Sequence, residues 1–306
     1  MNVSFMNQML DRCRFPEEAK VFFNDLADRV TKEGHEEEFL FINDFYFSSG
    51  LDTGKTEDRL KVLSAKMGVS VYSMWMLHLL IAAERAKPLY DKRGVSDEVF
   101  FDTFSDLRAK ALECMEEYGI WGTFVAGWYG LFYSCRIIKF GRLEYEDGEY
   151  YRENPSTYVC GDISVPCGTP MKGIHIPSSG EPFDLEARLE SYRMAYEFYT
   201  KETGLDYLVC DCGSWLIYEP YEKLLPEKSN IRSFMHDFDI IKNKDEEKFH
   251  DNWRLFGKYH RLPVEEYPED TAMRRAFKKY LLEGNTVGEG IGMLIFDGEK
   301  ILTERR

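Results

Sequence analysis

The sequence lacks any apolar run long enough to span a membrane, and it has fewer basic than acidic residues. No stretch approaches the ~18 consecutive apolar residues of a spanning helix. The 39 lysines and arginines are outnumbered by 54 aspartates and glutamates, which gives a formal net charge of −15 at pH 7. Such a charge repels nucleic-acid phosphates and anionic lipids, so we expect no nucleic acid or membrane as a partner.

A secretion signal and an ordered set of cysteines are also missing. Asp11, Arg12 and Arg14 precede any useful apolar run, so no signal peptide is expected. The seven cysteines are scattered, which predicts reduced thiols and a cytoplasmic location. Cys210 and Cys212 form a C-x-C pair, but no second pair follows at zinc-finger spacing, so we predict no metal.

The chain does have the length and apolar content for two packed domains. It has 306 residues, against ~100–200 for a typical domain, and 44% of them are hydrophobic. Helical periodicity dominates up to about residue 133, and alternating strand patterns begin near Ile137. We therefore predict an α+β protein, with a helical domain over residues 1–133 and a mixed-sheet domain over residues 134–306.

The first domain is predicted to be a set of packed helices. Ser70 should cap a helix that stops before Pro88, and Ser96 should cap one that continues to Gly119. Residues 60–80 have the helix, turn and helix of a DNA-binding motif. Their second helix offers Trp, Met and Leu where base recognition uses Arg, Asn or Gln, so we interpret the pair as bundle helices.

The second domain is predicted to alternate strands with helices. Asp147–Gly148 is a hairpin turn signal, and Asp297–Gly298 is another near the end of the chain. A long helix should begin at the capping residue Asp184. Strands are predicted at 135–146, 156–160, 171–177, 205–210 and 252–260, and helices at 184–204, 219–225, 229–242 and 269–285.

Four stretches form an ordered set of motifs, namely FGRLEYE (140–146), HIPSSGEPFD (175–184), CGSWL (212–216) and LLPEKSNIRSF (224–234). They are similar to motifs of the bacterial two-part acyltransferases, which join an N-acyltransferase N-terminal domain to a GNAT-like C-terminal domain. The helical first part and the segment 273–292 fit the same pattern, so the resemblance spans essentially the whole chain. It implies a GNAT-like mixed-sheet domain and acyl transfer from acetyl-CoA or another acyl-CoA, without identifying the acceptor.

The resemblance also implies a role for the loop between the strand GIHI and the following helix. In GNAT-type folds the acyl-CoA pyrophosphate lies on the N–H groups at this helix N-terminus, which corresponds to Ser178, Ser179 and Gly180. The loop departs from the usual Gln/Arg-x-x-Gly-x-Gly/Ala pattern, because it has one glycine. Pro177 and Pro182 also lack N–H groups.

His175 is the candidate general base. An attacking amine must be neutral, and the ordinary pKa of histidine lies near neutral pH. Strand alternation places His175 on the face opposite to that of Ile174 and Ile176. The alternative interpretation is a structural histidine bonded to a backbone carbonyl.

Cys212, Ser214 and Trp215 follow the next predicted strand. Cys212 or Ser214 could protonate the CoA thiolate as it leaves, and Trp215 is a candidate substrate contact. Cys212 could also pair with His175 as a nucleophile, or it could be a small buried apolar residue. A zinc site formed by Cys210, Cys212 and His175 lacks a clear fourth ligand.

Arg142, Glu144 and Glu146 alternate along one predicted strand, where carboxylates could hold an amino acceptor. We favour the interpretation of a solvated, charge-paired face for Glu146 and leave both interpretations open for Arg142 and Glu144. The glycines of the segment 284–292 follow a helix and precede a strand, which is the reverse of a dinucleotide-binding fingerprint. We expect a flexible connection or a cleft rim there.

These features predict an acyl-CoA-dependent N-acyltransferase that acts on a small amine, with a small molecule as its partner. One alternative is a Cys–His acyl hydrolase or acyl carrier that uses Cys212 and His175. The other is a non-catalytic module with the same fold that binds a small anionic ligand.

Overall fold

The computed structural model describes residues 1–152 and 156–303. The chain forms two compact units. One comprises Met1–Lys139 and Pro177–Ser179, and the other comprises Phe140–Ile176 and Gly180–Arg306. The predicted domain boundary between residues 133 and 134 stays a prediction; it falls a few residues before the point where the units divide.

The first unit is helical. Its α-helices are α1 Val3–Arg12, α2 Glu17–Lys32, α3 Glu36–Ser48, α4 Thr53–Met67, α5 Val71–Lys92, α6 Asp97–Phe104, α7 Asp106–Tyr118 and α8 Gly130–Tyr133. The predicted caps are confirmed, since Ser70 accepts a hydrogen bond from the Tyr72 N–H and Ser96 accepts one from the Val99 N–H.

Two predicted helix limits in this unit are wrong. Helix α5 continues through Pro88 to Lys92, where the buried Tyr90 hydroxyl lies 3.0 Å from the carbonyl oxygens of both Phe132 and Ile137 and anchors the end of the helix. The helix predicted to start after Ser96 breaks at Ser105 into α6 and α7.

The segment with the pattern of a DNA-binding motif is packed into the helical unit. Met74, Trp75, Met76 and Leu77 of α5 are at most 2% exposed, which supports its interpretation as a bundle helix. Among the described residues, no individual helix has both the length and the apolar character needed to cross a bilayer. Helices α4 and α5 meet that test only when taken together, and they are bent by 115°.

A mixed sheet organises the second unit, which makes the protein α+β as predicted. Strand β1 Ile137–Phe140 begins in the last residues of the first unit and ends at the first residue of the second. The other elements are β2 Leu143–Glu149, β3 Thr157–Cys160, β4 Ile163–Pro166, β5 Pro170–His175, α9 Leu185–Thr203, β6 Leu208–Ser214, α10 Asn230–Met235, β7 Asp239–Glu246, α11 Asn252–Phe256, α12 Ala272–Leu282 and β8 Val287–Phe296. The strand order is β1-β2-β5-β6-β8-β7, and β3 and β4 form a separate hairpin.

Strands β5 and β6 form a short parallel pair. Over the part of the chain that the structure describes, they pair only at Lys172 with Cys210 and at Gly173 with Asp211. Helix α9 connects the two strands, since parallel neighbours require a crossover. The two strands therefore separate toward their carboxyl ends, from His175 on β5 and from Cys212 on β6.

Three local predictions in this unit are wrong. Asp147–Gly148 makes no turn, because β2 runs through it and Gly148 pairs with Met171. The predicted strand 252–260 is helical, as α11 and a 3₁₀ turn. The helix predicted at 229–242 ends at Met235, and the segment from Asp239 is strand β7.

The glycine-rich stretch near residue 290 is also not a flexible connection, because it lies within β8. A Cβ atom on Gly288 would lie 2.2 Å from the Lys244 carbonyl oxygen, and one on Gly290 would lie 2.1 Å from the Ile217 carbonyl oxygen. A Cβ atom on Gly292 would lie 2.7 Å from the Cβ atom of Phe238. These glycines allow backbone and side chains to approach the strand closely.

Candidate active site

The two faces of the sheet differ in chemistry. Tyr145 and Ile174 are paired neighbours on β2 and β5, and both are buried on the face that α9 covers. On that side the Tyr145 hydroxyl lies 2.8 Å from the Ser191 hydroxyl of α9. Because side chains alternate along a strand, the intervening residues of β2 and β5 point to the opposite face. Acidic residues and His175 lie on that opposite face.

His175 and Glu146 form the central pair of this second face. His175 Nε2 lies 3.0 Å from Glu146 Oε2, and the two side chains are 34% and 28% exposed. Glu144 stands directly across from His175 in the strand register and is 1% exposed. Glu146 was interpreted from the sequence as part of a solvated, charge-paired face. Its partner in the structure is His175, the candidate base.

Asp211 of β6 also lies on this face, and it was not among the site residues predicted from the sequence. It pairs with Gly173 of β5, so both positions lie on the same side of the sheet. The pKa of the Asp211 carboxyl is raised to about 6, because burial outweighs the lowering effect of His175; the charge of Glu146 makes a smaller contribution that also raises it. The signal available in the sequence was the alternation Cys-Asp-Cys, which turns Asp211 away from the two buried cysteines.

Cys212 lies on the other face from His175. It is two residues beyond Cys210, which pairs with Lys172, and it is 1% exposed. Burial raises the pKa of the Cys212 thiol well above its usual range, which disfavours the thiolate that a nucleophile needs. The structure therefore does not bring Cys212 and His175 together, and it favours the interpretation of Cys212 as a small buried residue. Within the described ranges, no group of three or more His, Cys, Asp or Glu side chains could hold a metal ion.

Ser214 and Trp215 begin the 3₁₀ turn that follows β6. The Ser214 hydroxyl accepts a hydrogen bond from the Leu216 N–H at 3.1 Å. The Trp215 ring packs edge-on against Phe249 and Phe277, with centroid distances of 5.3 and 5.7 Å. Both contacts are structural, and the predicted roles of Ser214 and Trp215 in the reaction stay predictions.

The loop before α9 contains the three residues predicted to bind the cofactor. The Ser179 carbonyl accepts a hydrogen bond from Arg108 at 3.2 Å, within the first compact unit. Gly180 has φ of 76°, a left-handed conformation that favours glycine, and Ser178 is exposed. Asp184 caps α9 as predicted, accepting from the Ala187 N–H at 2.9 Å. The cofactor-binding role of Ser178, Ser179 and Gly180 stays a prediction.

A buried ion pair fixes the start of α9. Arg188 is 0% exposed and donates to both Asp237 carboxylate oxygens, at 2.7 and 3.1 Å. It also donates to the Phe183 carbonyl at 3.0 Å, which holds the end of the loop. The Arg142 guanidinium lies 4.9 Å from the centre of the Phe183 ring, and burial lowers its pKa. The predicted substrate contacts of Arg142 and Glu144 stay predictions.

A separate cavity of about 420 Å³ lies in the second unit. Its lining comes from side chains between Lys248 and Tyr267, together with Leu281. None of the predicted site residues lines it, so it is distinct from the His175 face of the sheet.

The strand order and the pair His175–Glu146 define an α+β protein. Its candidate site lies where the parallel strands β5 and β6 separate. Residues 4–135 match the family described as the N-acyltransferase N-terminal domain, and residues 137–294 match the GNAT-like C-terminal domain. The chain belongs to the family of proteins that join these two domains, which confirms the resemblance seen in its motifs.

Solved structures show the same fold. An acyltransferase mutant in complex with octanoyl-CoA matches with a TM-score of 0.70 and 19% identity, over 94% of this chain and 86% of that chain. An acyltransferase in complex with decanoyl-CoA and teicoplanin matches with a TM-score of 0.69 and 19% identity, over the same shares of the two chains. A third, in complex with CoA and 10C-teicoplanin, has a TM-score of 0.62 and 21% identity over 73% of this chain and 67% of that chain. A search of curated proteins found no match.

Proposed function

We propose that this protein transfers an acyl group from acyl-CoA to a small amine, with His175 as the general base. The observation that carries this proposal is the 3.0 Å contact between His175 Nε2 and Glu146 Oε2, at the edge where β5 and β6 part. In a neutral imidazole the nitrogen that faces a carboxylate carries the hydrogen, so Nε2–H donates to Glu146. The lone pair is then on Nδ1, and Glu146 fixes the tautomer and the orientation of the ring.

Acyl-CoA as the co-substrate is supported by membership of an acyltransferase family. Solved acyltransferases of the same fold hold CoA, octanoyl-CoA or decanoyl-CoA. We propose that the parted ends of β5 and β6 receive the thioester, and that the loop carrying Ser178, Ser179 and Gly180 takes the pyrophosphate. We also propose a cytoplasmic location, supported by seven free cysteine thiols.

The proposed reaction proceeds by direct transfer. His175 removes one proton from the acceptor ammonium, and the neutral nitrogen then attacks the thioester carbonyl carbon. The new C–N bond forms as the C–S bond breaks, and the second amine proton ends on the CoA thiolate. The products are an amide and CoA thiol, and the proton on His175 returns to solvent. No side chain is assigned as the carrier of that proton, because Cys212 and Ser214 alternate onto the face of β6 that points away from His175.

The proposal can be tested by comparing two histidine variants. His175→Gln should lower amine-dependent release of CoA thiol from decanoyl-CoA by about 100-fold or more, which is a typical loss for a general base. His236→Gln is the matched control, since His236 Nε2 also contacts a glutamate, Glu222 Oε1, at 2.7 Å. It should keep wild-type activity, and both variants should keep the wild-type melting temperature.

Equal activity of the two variants would overturn the role of His175. Calorimetry with decanoyl-CoA tests the co-substrate separately, and absence of binding would overturn acyl-CoA use. Binding of decanoyl-CoA without turnover of any amine would favour the non-catalytic binding module.

A further inference from the structure

The cavity of about 420 Å³ in the second unit has an apolar wall that is anchored in packed aromatic rings. Phe249, Val264 and Leu281 supply apolar side chains to its lining. The Phe249 side chain is 8% exposed, and its ring centroid lies 5.3 Å from that of Trp215 and 5.9 Å from that of Phe277. A cavity of this volume is large enough for a small organic molecule, and its wall offers that molecule an apolar surface.

Hydrogen bonds hold the polar part of the lining in place. The Asn252 side-chain N–H donates to the Tyr267 hydroxyl at 3.1 Å, and that hydroxyl donates to the His260 carbonyl at 3.1 Å. The Lys278 ammonium donates to the Tyr267 carbonyl at 2.9 Å. Because Asn252, His260 and Tyr267 all line the cavity, these bonds fix its parts relative to one another. A site that is formed before binding loses less entropy when a ligand enters.

The rim of this cavity is basic, although the whole chain is acidic. Lys248 and His250 are exposed and flank the buried Phe249, and all three line the cavity. Among the described residues of the lining there is no aspartate or glutamate. The neighbouring Asp251 carboxylate is paired with Arg254 at 3.0 Å. The Lys248 ammonium and the histidine rings therefore favour an anionic group at the rim.

We propose that this cavity binds a small carboxylate with an apolar body, such as an aryl-substituted carboxylic acid. The carboxylate pairs with the Lys248 ammonium and accepts a second hydrogen bond from the His250 imidazole. The apolar body lies against Phe249 and Leu281. This site does not depend on the proposed acyl transfer, because its lining is separate from the residues assigned to that reaction.

The probe is phenylpropionate, followed by NMR of the histidine ring signals. The chain has six histidines, and His250→Gln and His260→Gln identify the signals of the two that line the cavity. Phenylpropionate should shift both signals saturably in the wild type, with a Kd at or below about 5 mM. Phenylpropylammonium has a similar body and the opposite charge, so its Kd should be at least about tenfold higher.

Two matched pairs of variants test the charge and the shape of the site. Lys248→Gln should raise the Kd of phenylpropionate about fivefold, as expected for an ion pair at an exposed rim, whereas Lys242→Gln, at an exposed position of β7, should not change it. Leu281→Trp places a larger side chain in the lining and should raise the Kd at least about tenfold. Leu282→Trp, at the next position of α12, is its control because Leu282 is 50% exposed.

The assignment is overturned if phenylpropionate produces no saturable shift of the two signals, or if the carboxylate and the ammonium bind equally well. Equal Kd values for Lys248→Gln and Lys242→Gln would also overturn it, and this comparison does not depend on packing. Phenylpropionate should stay bound when decanoyl-CoA is added. Its displacement would show that the cavity is part of the co-substrate site and is not a second site.

Discussion

At the scale of single residues, the acidic face around Gly173 links stability to pH through Asp211. The pKa of its carboxyl rises from the ordinary 3.8 to about 6 in the folded protein. The folded state therefore binds this proton more tightly than the unfolded state, and stability falls as pH rises between these two values. This direction is opposite to that of a carboxylate stabilised by a salt bridge.

We predict that Asp211→Asn removes this loss, because the amide does not titrate. The wild type should lose about 2.4 kcal/mol of unfolding free energy through Asp211 between pH 4 and pH 7, at about 1.4 kcal/mol per unit of pKa shift. The variant should gain stability over the wild type near pH 7 and little at pH 4. Denaturant unfolding at a series of pH values measures this difference. Asp206→Asn, at an exposed position before β6, is the control. Parallel pH profiles for the wild type and Asp211→Asn would contradict the shifted pKa.

His175 and Asp211 show which side-chain positions can be predicted from the sequence and which cannot. His175 was found because its alternation with two isoleucines on one strand turns it to the other face. Asp211 was missed because its place on the face of His175 comes from pairing with Gly173, a contact between residues far apart in the sequence. The partner of Glu146 was not predicted for the same reason, since only the register of β2 with β5 places Glu146 beside His175.

At the scale of elements, strand β8 depends on its glycines. Gly290 pairs with Ser214 of β6, and a Cβ there would lie 2.1 Å from the Ile217 carbonyl oxygen. That oxygen is backbone and cannot rotate away. The glycines therefore allow the 3₁₀ turn after β6 to pack on β8.

We predict that Gly290→Ala destabilises the protein by about 2–3 kcal/mol or more, because the strand or the turn must shift. Gly213→Ala is the matched control on the partner strand, where a Cβ would have no atom within 4 Å. It should change the unfolding free energy by less than about 1 kcal/mol. Chemical denaturation of both variants makes the comparison, and equal midpoints would show that β8 tolerates a side chain at residue 290.

At the scale of the whole molecule, the family assignment predicts that ligand binding stabilises the folded chain. Decanoyl-CoA at about one hundred times its Kd should add about 2.7 kcal/mol to the unfolding free energy. The melting temperature of the full chain should rise accordingly, and decanoate without CoA should have a much smaller effect. A thermal scan with increasing ligand checks this, and a melting temperature that is independent of decanoyl-CoA would argue against the proposed co-substrate.

The sequence by itself determined the α+β class, the family, the caps at Ser70, Ser96 and Asp184, and the strand that carries His175. These features depend on neighbouring residues, on periodicity and on ordered motifs, all of which are local. Only the tertiary structure decided that β2 runs through Asp147–Gly148, that the glycines near residue 290 lie in a strand, and that Asp211 rather than Cys212 shares a face with His175. Strand register and close backbone contacts join residues far apart in the chain, and no local pattern specifies them.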